Sequence, residues 1–215
     1  MERLEIIIKA IEAYLQVKNA ARERALTRSR ELIGYCSRAI RATHRAEYDR
    51  AAELVSTARQ AAERMVGDLA EHPDLYHAGY TQAALKELAE ASITYALITS
   101  KPLPTPEELD VPPAAYLNGL AEAMGEMRRH ILDVIRQGEI GRCEQVLQTM
   151  EDVYSALITV DYPSALTGGL RRTTDMVRGV LERTRGDLTL AARQEALERT
   201  LRDFEDKVLS SADDE

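Results

Sequence analysis

Tyr116-Leu-Asn-Gly-Leu-Ala-Glu-Ala-Met-Gly-Glu-Met-Arg-Arg129 carries two stripes at once. Leu120, Met124 and Met127, continued by Ile131, recur at three- and four-residue spacing and form an apolar face with helical period. Ala115, Gly119, Glu122, Glu126 and Arg129 share a second face. Small residues on that face admit a second helix at close range, and they bring two carboxylates with them. A strand would send these residues alternately to opposite sides, so the stretch reads as helix.

Outward from this stretch the same period persists. Residues 1–44 contain one glycine, Gly34, and no proline, which predicts one or two long helices. A further helix is expected over 46–69, ended at His72-Pro73-Asp74 because the residue before a proline is driven from helical geometry. Thr81 is the expected N-cap of a helix reaching Thr99. Residues 100–113 hold Pro102, Pro104, Pro106, Pro112 and Pro113, five of the seven prolines, and form the clearest loop. Helices are then expected over 114–137, 140–160, 170–185 and 188–210, punctuated by Gly138, by Tyr162-Pro163-Ser164 and by Gly186-Asp187. The fold class is all-α, a bundle of about seven helices in one domain over 1–215, with an acidic tail at 210–215 expected to be disordered.

Composition agrees. Hydrophobic residues make up 45% of the 215, enough for a substantial core, while aromatic residues are 5% and tryptophan is absent. The net charge of -8 argues against nucleic-acid binding through overall charge, although a local basic face remains open. Cys36 and Cys143 have neither metal-ligand spacing nor a disulfide framework and read as small buried hydrophobes of a reducing compartment. No 18-residue apolar run occurs, and the N-terminus is amphipathic, so a cytoplasmic protein is expected.

Two glutamate pairs are the candidate chemistry. Glu87 and Glu90 share a helix face with Ala83, Ala91, Thr94, Leu97 and Ile98, a mostly apolar setting in which an uncompensated carboxylate is costly. A cation is therefore expected nearby. If this helix packs antiparallel to the one bearing Glu122 and Glu126, four carboxylates converge, a donor set suited to magnesium or manganese. A di-iron centre of the Glu-x-x-His type is disfavoured, since Ile93 follows Glu90 and Arg129 follows Glu126 at the histidine positions. Spacing alone favours solvated glutamates, or glutamates paired with Lys86, Arg128 and Arg129, as glutamates on helices usually are.

Near the N-terminus, Arg24, Arg28, Arg38, Arg41 and Arg45 occupy an arc of roughly 140° at 100° per residue. Opposite lies the stripe Leu26, Ile33, Cys36 and Ile40; Tyr35 and Glu31 fall within the arc, with His44 nearby. Guanidinium groups so aligned suit a phosphate backbone, although arginines on a helix exterior are more often simply solvated.

Arg22-Glu-Arg-Ala-Leu-Thr-Arg-Ser-Arg-Glu-Leu-Ile33, continued by Ser37-Arg-Ala-Ile-Arg-Ala-Thr-His-Arg45, resembles the opening helix of the translin family. Tyr116 to Arg129 is similar to that family's tyrosine, Gly-Leu-Ala-Asp and Gly-Glu-Leu-x-Arg signature. The resemblance covers about residues 20–205. Lys86-Glu-Leu-Ala-Glu-Ala91 resembles the segment of the translin-associated factor X branch in which both glutamates bind metal, which implies that role for Glu87 and Glu90. Glu126 corresponds to the glutamate of the Gly-Glu motif, whereas at Glu122 the family carries aspartate, one methylene shorter.

What the resemblance implies is a catalytic-branch member of the archaeal, single-subunit type. Such a protein is a magnesium-dependent endoribonuclease, with manganese as a substitute, that cleaves single-stranded or short duplex RNA inside a homo-oligomeric, roughly octameric shell. Glu87, Glu90, Glu122 and Glu126 would hold the metal, Arg129 would orient phosphate or pin a carboxylate, and the arginine arc would contact RNA. The alternative is a non-catalytic protein binding single-stranded DNA or RNA, in which the glutamates only anchor cationic side chains.

Overall fold

The computed structural model describes the backbone of residues 1–212 and is all-helical over them. In chain order the helices are α1 (Glu2–His44), α2 (Tyr48–Gly67), α3 (Pro73–Tyr76), α4 (Gly79–Ile98), α5 (Pro106–Leu109) and α6 (Pro113–Arg136). A 3₁₀ turn at Ile140–Arg142 leads into α7 (Cys143–Leu157), followed by α8 (Ser164–Thr167) and α9 (Leu170–Ala212). Six of these run fifteen residues or more, and three are single turns. The expected tail disorder falls in part on 213–215, outside the described residues; up to Ala212 the backbone is helix.

The described residues group into two compact units. The first takes Met1–Ala123 with Asp161–Thr173, and the second takes Met124–Val160 with Thr174 onward.

In the first unit, α1 and α2 are joined by a turn in which Ala46 adopts a left-handed conformation (φ 58°). The chain doubles back, so that the end of α2 meets the middle of α1: Ser29 Oγ donates to Met65 Sδ, and Arg28 Nε lies 2.7 Å from Asp68 Oδ2. The contact is close because the seam is small. Ala21, Ala25, Ser29, Cys36 and Ala39 of α1 and Ala51, Ala58, Ala61 and Ala62 of α2 are all buried. Both helices pack on α4, which is apolar around most of its circumference and buries Ala84, Leu85, Leu88, Ala89, Ile93 and Ala96. The centre of this unit is therefore the helix that carries Glu87 and Glu90.

Two expectations are corrected. Thr81 is not the N-cap of α4, which starts at Gly79 after Ala78; it is fully buried, and its hydroxyl donates to the carbonyl of Leu75 at 2.8 Å. A buried threonine hydroxyl finds a backbone acceptor outside its own helix here, tying α3 to α4. Nor does Gly186-Asp187 break the last helix, because Gly186 lies within α9. One glycine costs a helix only about 1 kcal/mol, and Asp187 pairs with Arg128 at 2.7 Å in the second unit, so packing outweighs propensity.

The proline-rich connection is held rather than loose. Thr105 and Glu108 form a reciprocal capping box at the start of α5, Arg59 donates to the Glu108 carbonyl, and the Tyr116 hydroxyl donates to the Pro104 carbonyl at 2.9 Å. Further along α6, Asn118 is buried, with its amide donating to the carbonyls of Ala114 and Thr167 and its oxygen accepting from the Thr173 hydroxyl at 2.7 Å. Gly168, at φ 61°, makes the left-handed turn that presents Thr167 to it.

Gly119 sits where no side chain fits. A Cβ there would lie 2.7 Å from the Lys86 carbonyl oxygen, 2.8 Å from Ala89 Cβ and 2.9 Å from the Glu90 nitrogen. The Lys86 carbonyl and Glu90 amide are the two ends of one turn of α4, so α6 rests directly on the α4 backbone at the glutamates.

In the second unit, buried Met124, Met127, Ile131 and Val134 of α6 continue the apolar stripe read from the sequence; α7 buries Cys143, Leu147, Met150 and Val153, and α9 buries Val177, Val180, Leu181 and Leu188. Beyond Leu188 no described side chain of α9 is buried, and at the other terminus no residue of α1 before Ala21 is.

Gly119→Ala should destabilise the chain by about 1–3 kcal/mol in urea unfolding, because backbone, not a flexible side chain, stands in the way. Gly125→Ala, with nothing within 4 Å of the added carbon, should be neutral or gain about 0.5–1 kcal/mol from helix propensity. Equal effects of the two would contradict the contact.

Candidate metal centre

Glu87 and Glu90 come from the middle of α4 and Glu122 from α6, one turn beyond the Gly119 contact. Each offers one carboxylate oxygen such that the three oxygens all lie within 4.8 Å of one another. Glu87, Glu90 and Glu122 are all half-buried. Three like charges this close repel unless a cation lies among them. Lys86 supplies one: its ammonium is ion-paired with Glu122 and lies 3.7 Å from Glu87 Oε1.

The electrostatics follow from this crowding. Burial pushes the Glu87 carboxyl above the usual carboxylate range; the positive charge of Lys86 opposes the shift and the negative charge of Glu122 adds to it. Burial works against the charge on Lys86, but its hydrogen bond to Glu122 and the charges of Glu122, Glu87 and Glu90 outweigh this and raise its pKa. On α1, Cys36 is fully buried and feels both α4 glutamates. Burial, with the charges of Glu87 and Glu90 added, pushes its thiol up to about 12, so it is a neutral, apolar wall of the site.

The other predicted residues are distributed as follows. Glu126 lies one turn further along α6, in the second unit, where its carboxylate is 3.7 Å from Arg129 Nη1. Arg128 turns instead to Asp187 and the Thr184 hydroxyl. Of the three cations named as partners for the glutamates, Lys86 and Arg129 take that role. Arg24, Arg38, Arg41 and Arg45 are exposed, and Arg38 stacks over the Tyr35 ring at 4.6 Å. Arg28 sits at the edge of the arc, next to the buried seam, and is paired with Asp68. Leu26 and Ile33, expected in the apolar stripe, are only half-buried, because the seam is centred on the small residues between them.

By the 100° step, Arg38, Arg41 and Arg45 lie roughly 140–200° around α1 from Cys36, so within one chain they face away from the glutamates. Sequence reading missed the Asn118 network; it named Lys86 among the partners of the glutamates, without the bridge between Glu87 and Glu122. For Lys86 a signal existed, its place beside Glu87; for Asn118 none did, since its acceptors come from residues 49 or more positions away or from its own helix.

Oxygen-only donors at this spacing fit a hard divalent ion, and they lack the histidines and thiolates that softer metals select. Among the described residues no helix is long and apolar enough to cross a membrane.

No family model matches the chain. An uncharacterized protein of Methanocaldococcus jannaschii is 31% identical over 191 residues, which span 87% of this chain and 82% of that relative. C3PO of Archaeoglobus fulgidus, solved alone and in complex with duplex RNA, is 32% identical with a TM-score of 0.79, covering 87% of this chain and 97% of that one. The apo form of a Nematostella C3PO, 21% identical over 86% of this chain and 96% of its own, has the same fold with a TM-score of 0.78. With these similarities running over most of both chains, and with the Gly119 and glutamate stretches in place, the chain belongs to the translin family.

Proposed function

We propose that this protein is a magnesium-dependent endoribonuclease of the factor X-like branch, which holds the ion on Glu87, Glu90 and Glu122. The observation that carries the reading is the convergence of these three carboxylates within 4.8 Å at a half-buried position. Surface glutamates that serve only solubility have no reason to crowd one another against an apolar wall. When bound, a divalent ion supplies the activation of water and the charge neutralisation that phosphodiester hydrolysis needs, and manganese is an acceptable substitute.

The chain's own residues do the rest. Glu87 and Glu90 fix the site to α4, and Glu122 brings α6 to it. Arg129 pairs with Glu126 in the second unit, and the roles proposed for them, a further carboxylate and a phosphate-orienting cation, come from the family resemblance alone. RNA is the substrate class favoured by the relative solved with duplex RNA, and exposed Arg24, Arg38, Arg41 and Arg45, with Arg28 at their edge, are the proposed phosphate contacts.

A homo-oligomer, octameric by family resemblance, is supported by α1: Leu4, Ile7, Ile8, Ile11 and Leu15 are exposed on one face of the helix, in line with its buried seam. Because the arginines of one chain face away from its own glutamates, RNA held by one copy would be presented to the site of another. A second reading, non-catalytic binding of single-stranded DNA or RNA, is favoured by one observation, the Lys86 ion pair that already occupies Glu122.

The test is direct. Short RNA should be cut in magnesium and left intact with chelator, and Glu90→Gln should lose cleavage while retaining RNA binding in a filter assay; undiminished cleavage by that variant overturns the assignment. Glu87 adds a pH signature. A carboxyl raised on folding contributes stability that is present below its unfolded value, near 4.5, and lost as pH rises through the folded value. Glu87→Gln should therefore melt higher than the parent at pH 7 without metal, with the difference vanishing below about pH 4.5. Ile8→Glu combined with Ile11→Glu should lower the solution mass measured by light scattering, while a mass unchanged from the parent would remove α1 from the interface.

A further inference from the structure

The cation that sits in the glutamate cluster belongs to the protein. Lys86 precedes Glu87 directly and Glu90 by one turn of α4, and its carbonyl is one of the atoms against which Gly119 is packed. Its backbone is therefore held at the α4–α6 contact while its flexible side chain reaches Glu122. Lys86, Glu87 and Glu122 all keep between 24% and 31% of their side-chain surface exposed, so the site is open to solvent ions and the lysine has room to leave.

A single ammonium cannot balance three carboxylates, and a divalent ion can do so better. The two cannot share the cluster. The Glu122 carboxylate that pairs with Lys86 is one of the three that bring an oxygen into the group, and an ammonium beside a divalent cation is repelled. Lysine suits such a role because its charge is a compact point on a four-carbon stem, without the planar fork that fixes arginine to a carboxylate.

From this geometry we infer that Lys86 is a resident counter-ion, which holds Glu122 in place in the metal-free protein and is displaced from it by the divalent cation. The inference rests on the metal reading of Glu87, Glu90 and Glu122 given above. Displacement leaves the ammonium tethered at the rim of the cluster, where it meets an incoming phosphodiester. Lys86 thus lowers affinity for the ion and raises affinity for the substrate once the ion is bound. It is a positioning residue, and its effect on binding is separable from turnover.

The experiment is a titration of the purified full chain with manganese chloride, followed by the loss of the free-ion paramagnetic resonance signal, for the parent, Lys86→Met, Lys86→Arg and Glu90→Gln. The parent should bind Mn²⁺ and Glu90→Gln should not. Lys86→Met should bind it about five- to tenfold more tightly, since the competing charge is gone. Lys86→Arg should keep the competition and stay within about twofold of the parent or weaker. Without metal, Lys86→Met should melt below the parent and recover on adding Mn²⁺, and with metal it should bind short RNA more weakly. Equal or weaker Mn²⁺ binding by a folded Lys86→Met overturns the inference while leaving the metal site intact. Absence of Mn²⁺ binding by every protein, parent included, overturns the metal reading and this inference together. Should Lys86→Met fail to fold without metal, Lys86→Gln takes its place in the same comparison, read by the same criterion.

Discussion

The first unit is organised around the contact of Gly119 with the turn of α4 between Lys86 and Glu90. Helices normally meet through side chains at 8–10 Å between axes. Here the absence of a side chain at one position lets α6 rest on backbone. That close approach sets the gap across which Glu122 meets Glu87 and Glu90, and it places the Lys86 side chain at the same junction. The Asn118 network one residue earlier fixes the rotation and register of α6, because its amide and oxygen are both committed to residues from the α8–α9 turn. A helix seated by glycine on one side and by a satisfied buried amide on the other has little freedom to slide.

The cluster built at this junction is electrostatically unfavourable when empty. Three carboxylates converge beside the neutral thiol of Cys36, and burial above all raises the pKa of one of them, Glu87. Sites that bind cations commonly carry such a cost, since groups that repel one another are the groups that a divalent ion satisfies. Lys86 reduces the cost without removing it. The same lysine makes a salt-bridge reading and the proposed metal reading of these glutamates compatible, since the pairing of Lys86 with Glu122 is one that a divalent ion would replace.

The exposed faces follow a different logic. The apolar stripe of α1 continues past the last residue that the chain itself buries, and Leu4, Ile8, Ile11 and Leu15 remain in water. The arginines lie on another part of the same helix, turned from the glutamates. One long helix thus carries three surfaces: a small-residue seam, an apolar stripe that continues the seam along the axis to the free end, and a basic face at another angle.

Much of this was legible in the amino-acid order. Helical period, the rarity of internal proline, and the Gly119 and glutamate spacing determine an all-α chain and put Glu87 with Glu90 and Glu122 with Glu126 on common faces, because these are local consequences of 3.6 residues per turn. Helix ends were less legible. Thr81 resembles a cap yet serves as a buried donor to Leu75, and Gly186-Asp187 resembles a break yet is carried through by packing around Asp187. In both cases a partner distant in space outweighed a local preference of about 1 kcal/mol. By itself, then, the sequence determined which residues share a helix face. Only the tertiary structure decided which faces meet: that Glu122 joins the α4 pair, that Lys86 lies among them, and that the arginine arc points elsewhere. Those outcomes depend on a backbone approach at Gly119 and on Coulomb interactions between helices, and neither leaves a periodic trace along the chain.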